Sequence, residues 1–165
     1  MKPIPEAIVE KTWQEGGGFR PDRAKKEMMK IANSQPDLLA FVTESSQEMG
    51  QEVRELAIYM FFVVYRMFQK THGKIKKISS EEIIECYEHN EGLMERLEGA
   101  DEKFLDRIAS VQPSRQPHVV KYVADALMED DEWEDAVALT EEQKGFLFLV
   151  LKTVIDVLDQ KVMKS

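Results

Sequence analysis

The 165-residue chain is 43% apolar and 32% charged, which is typical of a globular protein rather than a disordered or membrane-embedded one. Its single cysteine, Cys86, excludes an intrachain disulfide framework and any zinc site built from paired cysteines. The net charge of −9 argues against nucleic-acid binding, because phosphate contacts need clustered lysine and arginine side chains.

The charge is unevenly distributed along the chain. Residues 1–78 carry a net charge of +3, whereas residues 79–165 carry −12. Such asymmetry favours attraction between the two halves, attraction between copies of the chain, or binding of a cationic partner.

Targeting signals are not evident in the sequence. Residues 1–6 contain charges and two prolines where a secretory signal needs an apolar run. The longest uncharged apolar stretch, residues 56–65, is about half the length of ~20 residues that a membrane-spanning helix requires. We therefore expect a cytoplasmic protein without membrane contact.

The first 50 residues predict a weakly structured start followed by two helices. Residues 1–20 are expected to form a loosely ordered arm, since Gly16, Gly17 and Gly18 favour a loop over residues 13–19. Pro21 suits the first turn of a helix that runs to about Asn33. A second helix is predicted to start at residues 34–37.

Residues 51–69 give the clearest helical pattern in the chain. Charged residues occupy one face of this helix near both ends, but Tyr59 and Phe62 lie on the same face in the middle. A helix that is apolar all round is enclosed, either by its own fold or by another chain. Tyr59, Phe62 and Arg66 are therefore the predicted interface residues, and Phe62→Glu is expected to dissociate an oligomer into folded monomers.

The second half of the chain predicts further helices separated by polar segments. A basic connector is predicted at residues 71–77. The pattern of a capping box, which marks a helix start, occurs at residues 79–82 and again at residues 140–143. Predicted helices follow at about 80–99, near 104–108 and from Pro117, and an acidic loop occupies 129–135. The last helix, about 141–160, is apolar over a wide arc. The sequence thus predicts one all-α domain over residues 1–165, a bundle of six to eight helices around two apolar central helices.

Motifs that carry chemistry are mostly absent. The Gly-rich segment lacks the spacing of a phosphate-binding loop, and no histidine has the spacing of a di-iron or zinc-protease motif. His72, His89 and His118 lie on three different segments, so a shared metal would need a tertiary arrangement that the sequence does not signal. Cys86 is interpreted as a structural thiol beside carboxylates that disfavour its ionisation. No catalytic, cofactor-binding or metal-binding residue is assigned, and no cofactor is expected.

Three functions remain compatible with these observations. The first is a non-catalytic protein that acts through protein–protein contacts, as a homodimer or with another protein. The second is a small apolar ligand binder or metal-dependent enzyme built in the bundle, although the two central helices offer few polar groups. The third is an acidic antagonist that occupies a basic groove of its partner through residues 129–135, Glu141 and Glu142.

Overall fold

A computed structural model describes residues 3–18, 20–95, 115–128 and 139–163 of the chain. These residues form seven α-helices and one short 3₁₀ turn, and no strand occurs among them. The helices are α1 (Glu6–Gly17), α2 (Pro21–Ser34), α3 (Pro36–Ser45), α4 (Gln51–His72), α5 (Ser80–Glu95), α6 (Pro117–Met128) and α7 (Glu141–Met163), and the 3₁₀ turn is Gln47–Met49. The prediction of an all-α bundle is confirmed. The predicted helix near 104–108 and the acidic loop at 129–135 lie outside the described residues.

The two long helices α4 and α7 form the centre of the bundle, as predicted. Helix α7 packs against α3, α4, α5 and α6, and nearly every residue from 147 to 159 is buried. The middle of α4, from Met60 to Tyr65, is buried on every face. No helix in the described part of the chain combines the length and apolarity needed to cross a bilayer.

Both predicted capping boxes form. The Ser79 backbone N–H donates to Glu82 Oε2 over 2.8 Å, and the Glu82 N–H donates back to Ser79 Oγ over 3.3 Å. Thr140 and Gln143 make the same reciprocal pair at the start of α7, over 3.0 and 3.1 Å. The Ser79 N–H, together with Lys161 of α7, lowers the pKa of Glu82. Each box satisfies backbone N–H groups that a helix start leaves without partners.

The N-terminal region differs from the sequence prediction. Residues 13–17, expected as part of a loop, are the last turns of α1, and the arm is packed rather than loose, with Ile4 fully buried and Val9 in the core. Gly16 lies at the contact of this part of α1 with α4. A Cβ at this position would lie 3.3 Å from Val63 Cγ2 and 3.4 Å from the Tyr59 hydroxyl, so the missing side chain allows α1 to approach α4 closely.

Candidate functional site

A groove of about 230 Å³ lies between α1 and α6. Side chains one helical turn apart share a face of a helix, so each helix presents one row to the groove. Glu6, Val9, Glu10 and Trp13 come from α1, and His118, Lys121, Tyr122, Asp125 and Ala126 come from α6. Apart from Val9, whose side chain belongs to the core, these side chains form the walls and rim of the groove.

The charged groups of the groove are predominantly acidic. Glu6, Glu10 and Asp125 are exposed carboxylates, and Lys121 is the one lysine or arginine among the lining residues. Three carboxylates against one lysine give the lining a net negative charge. Carboxylates gathered at a concave surface favour a cationic group there, because low-dielectric walls strengthen their common field.

Two aromatic side chains accompany these carboxylates. Trp13 is 45% exposed, which is unusual for the largest apolar side chain, and Tyr122, which also lines the groove, is half-buried. An exposed indole face attracts lysine and arginine side chains through cation–π interaction. The groove therefore combines the two kinds of group that recognise an ammonium or guanidinium ion.

Buried Gln116 holds the two walls of the groove together. It precedes α6 and accepts a hydrogen bond from the backbone N–H of Ile4 over 2.8 Å, just before α1 begins. Its amide nitrogen donates to Asp159 Oδ1 of α7, also over 2.8 Å. Since Gln116 and Asp159 are almost fully buried, these bonds fix the start of α1 and the start of α6 against the central helix.

The three predicted interface residues lie elsewhere, on α4, which packs against α1. Phe62 is only 3% exposed, so its own chain encloses it. The Arg66 guanidinium lies 5.8 Å from the centre of the Phe62 ring and forms ion pairs with Glu15 of α1 and Glu27 of α2. Of the predicted set, Tyr59 alone presents a substantial exposed surface, at 36%.

An ion-pair network ties the end of α1 to α4. Glu15 lies between Arg66, at 3.5 Å, and the Lys70 ammonium, which donates to it directly. The hydrogen bond from Lys70 is the main cause of the lowered pKa of Glu15. These contacts pair Arg66 and Lys70 of α4 with carboxylates of the same chain.

A buried polar cluster joins α5 to α7, although few polar groups were expected on the central helices. The amide of Asn90 accepts from Lys152 Nζ over 3.2 Å and donates to Thr153 Oγ1 over 3.2 Å and to Asp156 Oδ2 over 3.1 Å. Lys152 Nζ also bonds Asp156 Oδ2 over 2.6 Å. Asn90, Lys152 and Thr153 are all buried, so the expectation from sequence was wrong at this point.

Cys86 lies beside this cluster. Its sulfur is 3.8 Å from the carbonyl oxygen of Thr153 and 3.9 Å from the Asn90 amide nitrogen. Burial, reinforced by the nearby Asp156 carboxylate, raises the pKa of the Cys86 thiol to about 12. The thiol is therefore protonated at neutral pH, which supports its interpretation as a structural residue.

We expect Cys86 to react with Ellman's reagent only when the chain unfolds. A pKa raised from 9.0 to about 12 lowers the thiolate fraction at pH 8 roughly a thousandfold, and burial blocks access as well. Because the pKa of Cys86 is higher in the folded than in the unfolded chain, its ionisation leaves the free energy of unfolding unchanged below pH 9. As the pH rises from 9 toward 12, the unfolded chain ionises first and the free energy of unfolding falls. Stopped-flow labelling at pH 8, with and without urea, checks the first result. Urea melts of the wild type and Cys86→Ala between pH 8 and 11 check the second, and fast labelling in native buffer would contradict both.

The three histidines do not meet. His118 lies in the groove, His72 is in the last turn of α4, and His89 is exposed on α5. Within the described ranges, no group of three histidine, cysteine, aspartate or glutamate side chains is arranged to hold a metal ion.

Comparison with known proteins gives no match: no family model, no curated protein and no solved structure is similar to this chain. Function has therefore to be inferred from the side chains of the groove and from the surfaces around it.

Proposed function

We propose that the protein is a non-catalytic protein-binding domain whose groove between α1 and α6 takes a lysine or arginine side chain from a basic segment of its partner. One observation carries this proposal: the exposed Trp13 indole shares the groove with the carboxylates of Glu6, Glu10 and Asp125. An aromatic face beside carboxylates stabilises a bound cation more than either group alone, since both act on the same charge.

The size of the groove supports a side chain as its ligand. Sites for drug-sized molecules usually occupy about 300–1,000 Å³ and enclose most of the ligand. The groove has about 230 Å³ and is bordered by exposed charges, so it suits one or two long side chains of a peptide. The exposed charges along its border favour a charged ligand over an apolar one.

Basic-peptide binding also agrees with the charge of the whole chain. A net charge of −9 steers cationic partners toward the protein and repels anionic ones. The hypothesis of an acidic antagonist shares this sign of charge. It assigns the contact to residues 129–135, which lie outside the described residues, and to Glu141 and Glu142, which are exposed in the first turn of α7. The two hypotheses differ in which carboxylates matter.

Fluorescence of Trp13 tests the proposal. The variant Trp133→Phe leaves Trp13 as the single tryptophan, and it is titrated with the capped peptide Gly-Lys-Gly-Lys-Gly-Lys-Gly. We expect a saturable change in emission that weakens as salt is raised, because the contact is electrostatic and solvent-exposed. The same peptide with glutamate in place of lysine is expected to give no change.

Two double variants that remove the same charge distinguish the contribution of the groove carboxylates to peptide affinity from that of the net charge of the chain. Glu10→Gln/Asp125→Asn is expected to weaken binding by about fivefold, the loss typical of two exposed ion pairs. Glu52→Gln/Glu88→Gln removes the same charge from exposed positions on α4 and α5 and is expected to leave the affinity unchanged. Equal losses in both variants, or no response of Trp13, would contradict a binding site in the groove.

A further inference from the structure

The segment between α4 and α5 displays a row of lysines on a rigid backbone. Gln35, which is fully buried, donates from Nε2 to the Lys76 carbonyl over 2.9 Å and accepts from the Ile78 backbone N–H over 2.9 Å. Ile75 and Ile78 are anchored in the core on either side. Gly73, with φ of 77°, turns the chain out of α4 into this segment.

This anchoring directs the lysines outward. Lys74, Lys76 and Lys77 are exposed and form what we name the lysine ridge. Most long side chains on a protein surface lose conformational entropy when they bind, and so does a flexible backbone that carries them. The backbone of the ridge is already fixed by Gln35 and the two isoleucines, so a partner has only the lysine side chains to immobilise.

We propose that the lysine ridge of one copy of this chain enters the groove between α1 and α6 of a second copy. This inference rests on the proposed function and names the partner of the groove as the chain itself. Charge complementarity supports it: the ridge presents three exposed cations, and the groove presents the three carboxylates Glu6, Glu10 and Asp125 beside Trp13. The two surfaces are complementary in sign, and their local attraction has to exceed the long-range repulsion between two chains that each carry a net charge of −9.

In the folded chain, the lysine ridge cannot bind in the groove of the same molecule. The two buried isoleucines and the Gln35 hydrogen bonds hold it at the end of α4, and none of its lysines lines the groove of the same chain. The occupant must therefore come from another molecule. If the ridge of each copy binds in the groove of the other, the two contacts form a closed two-fold dimer. If each ridge binds in the groove of a third molecule instead, longer assemblies form.

A charge-swap experiment tests this contact. The ridge variant is Lys74→Glu/Lys76→Glu, and the groove variant is Glu10→Lys/Asp125→Lys, all at exposed positions. Masses are measured by light scattering after size exclusion, at protein concentrations up to about 0.5 mM and at about 0.15 M salt, and circular dichroism confirms that each variant folds.

We expect dimers of the wild type and a dimer dissociation constant raised at least about tenfold in each variant alone, because like charges then face each other. Mixing the two variants is expected to restore a dimer, since both exchanged contacts again pair opposite charges. A monomeric wild type, or variants that associate as well as the wild type, would overturn the inference. A monomeric wild type whose Trp13 still responds to the lysine peptide would leave the proposed function standing and exclude only the second copy as its partner.

Discussion

Phe62→Glu is expected to prevent folding rather than to dissociate an oligomer. Phe62 is 3% exposed, so the substitution removes a buried ring and places a carboxylate in its space. Loss of a buried phenylalanine typically costs about 3–5 kcal/mol, and desolvation of the carboxylate adds to this. Native proteins of this size are stable by about 5–15 kcal/mol in total. Arg66 offers little relief, because Glu15 and Glu27 already pair with it.

Two matched variants keep this expectation testable if the glutamate variant is insoluble. Phe62→Ala is expected to fold with a free energy of unfolding lowered by about 3–5 kcal/mol. Tyr59→Glu, on the same face of α4 but 36% exposed, is expected to lower the free energy of unfolding by less, about 1–2 kcal/mol, because its ring is only partly buried. Urea denaturation followed by circular dichroism measures all three. A Phe62→Glu variant that melts like the wild type would return Phe62 to the list of interface residues.

The main helices could be predicted because their signals are local. The reciprocal bonds of Ser79 with Glu82 and of Thr140 with Gln143 depend on residues three positions apart, so the sequence itself specifies them. The apolar patterns of α4 and α7 likewise predict enclosed helices. What encloses a helix is a tertiary property, and the burial of Phe62 by its own chain could not be read from residues 51–69.

The errors share a physical cause. Three consecutive glycines favour a loop by backbone entropy, but Gly16 lies within α1, where the absence of a side chain lets the helix pass close to Val63 and Tyr59. The groove was equally invisible, since its walls come from the first helix and from α6, more than a hundred residues later. A possible signal was the pairing of Trp13 with Glu6 and Glu10 at helical spacing, which becomes meaningful only once residues 13–17 are known to be helical.

The buried polar cluster was missed for a related reason. Lys152 and Asp156 lie on the side of α7 opposite its main apolar face. In the fold that side faces α5, where Asn90 meets Lys152 across 62 positions of sequence. The sequence around Asn90 does not indicate this role, because its hydrogen-bond partners belong to a helix distant in sequence. Which polar groups Asn90 bonds is known only once that helix is packed against α5.

Asn90→Leu is expected to lower the free energy of unfolding by about 2–4 kcal/mol. The substitution removes the acceptor of Lys152 Nζ and the donor to Thr153 and Asp156, all at the interface of α5 with α7. A buried ammonium left with fewer partners carries most of this cost. Thr153 loses less, because its hydroxyl still donates to the Leu149 carbonyl over 2.8 Å.

When Lys152→Met is added to Asn90→Leu, we expect part of the lost free energy of unfolding to be recovered. Methionine fills a similar volume without a charge, and replacing a buried ionic network with apolar side chains is often neutral or stabilising. Asp156 tolerates the loss of Lys152 because its side chain is 24% exposed and can be hydrated. The double variant is therefore expected to be more stable than Asn90→Leu alone, with a coupling energy of about 1 kcal/mol or more in a double-mutant cycle.

Urea denaturation of the wild type, the two single variants and the double variant measures this coupling energy. Strictly additive effects would mean that Asn90 and Lys152 stabilise the bundle independently, and that the cluster is not a single unit holding α5 against α7.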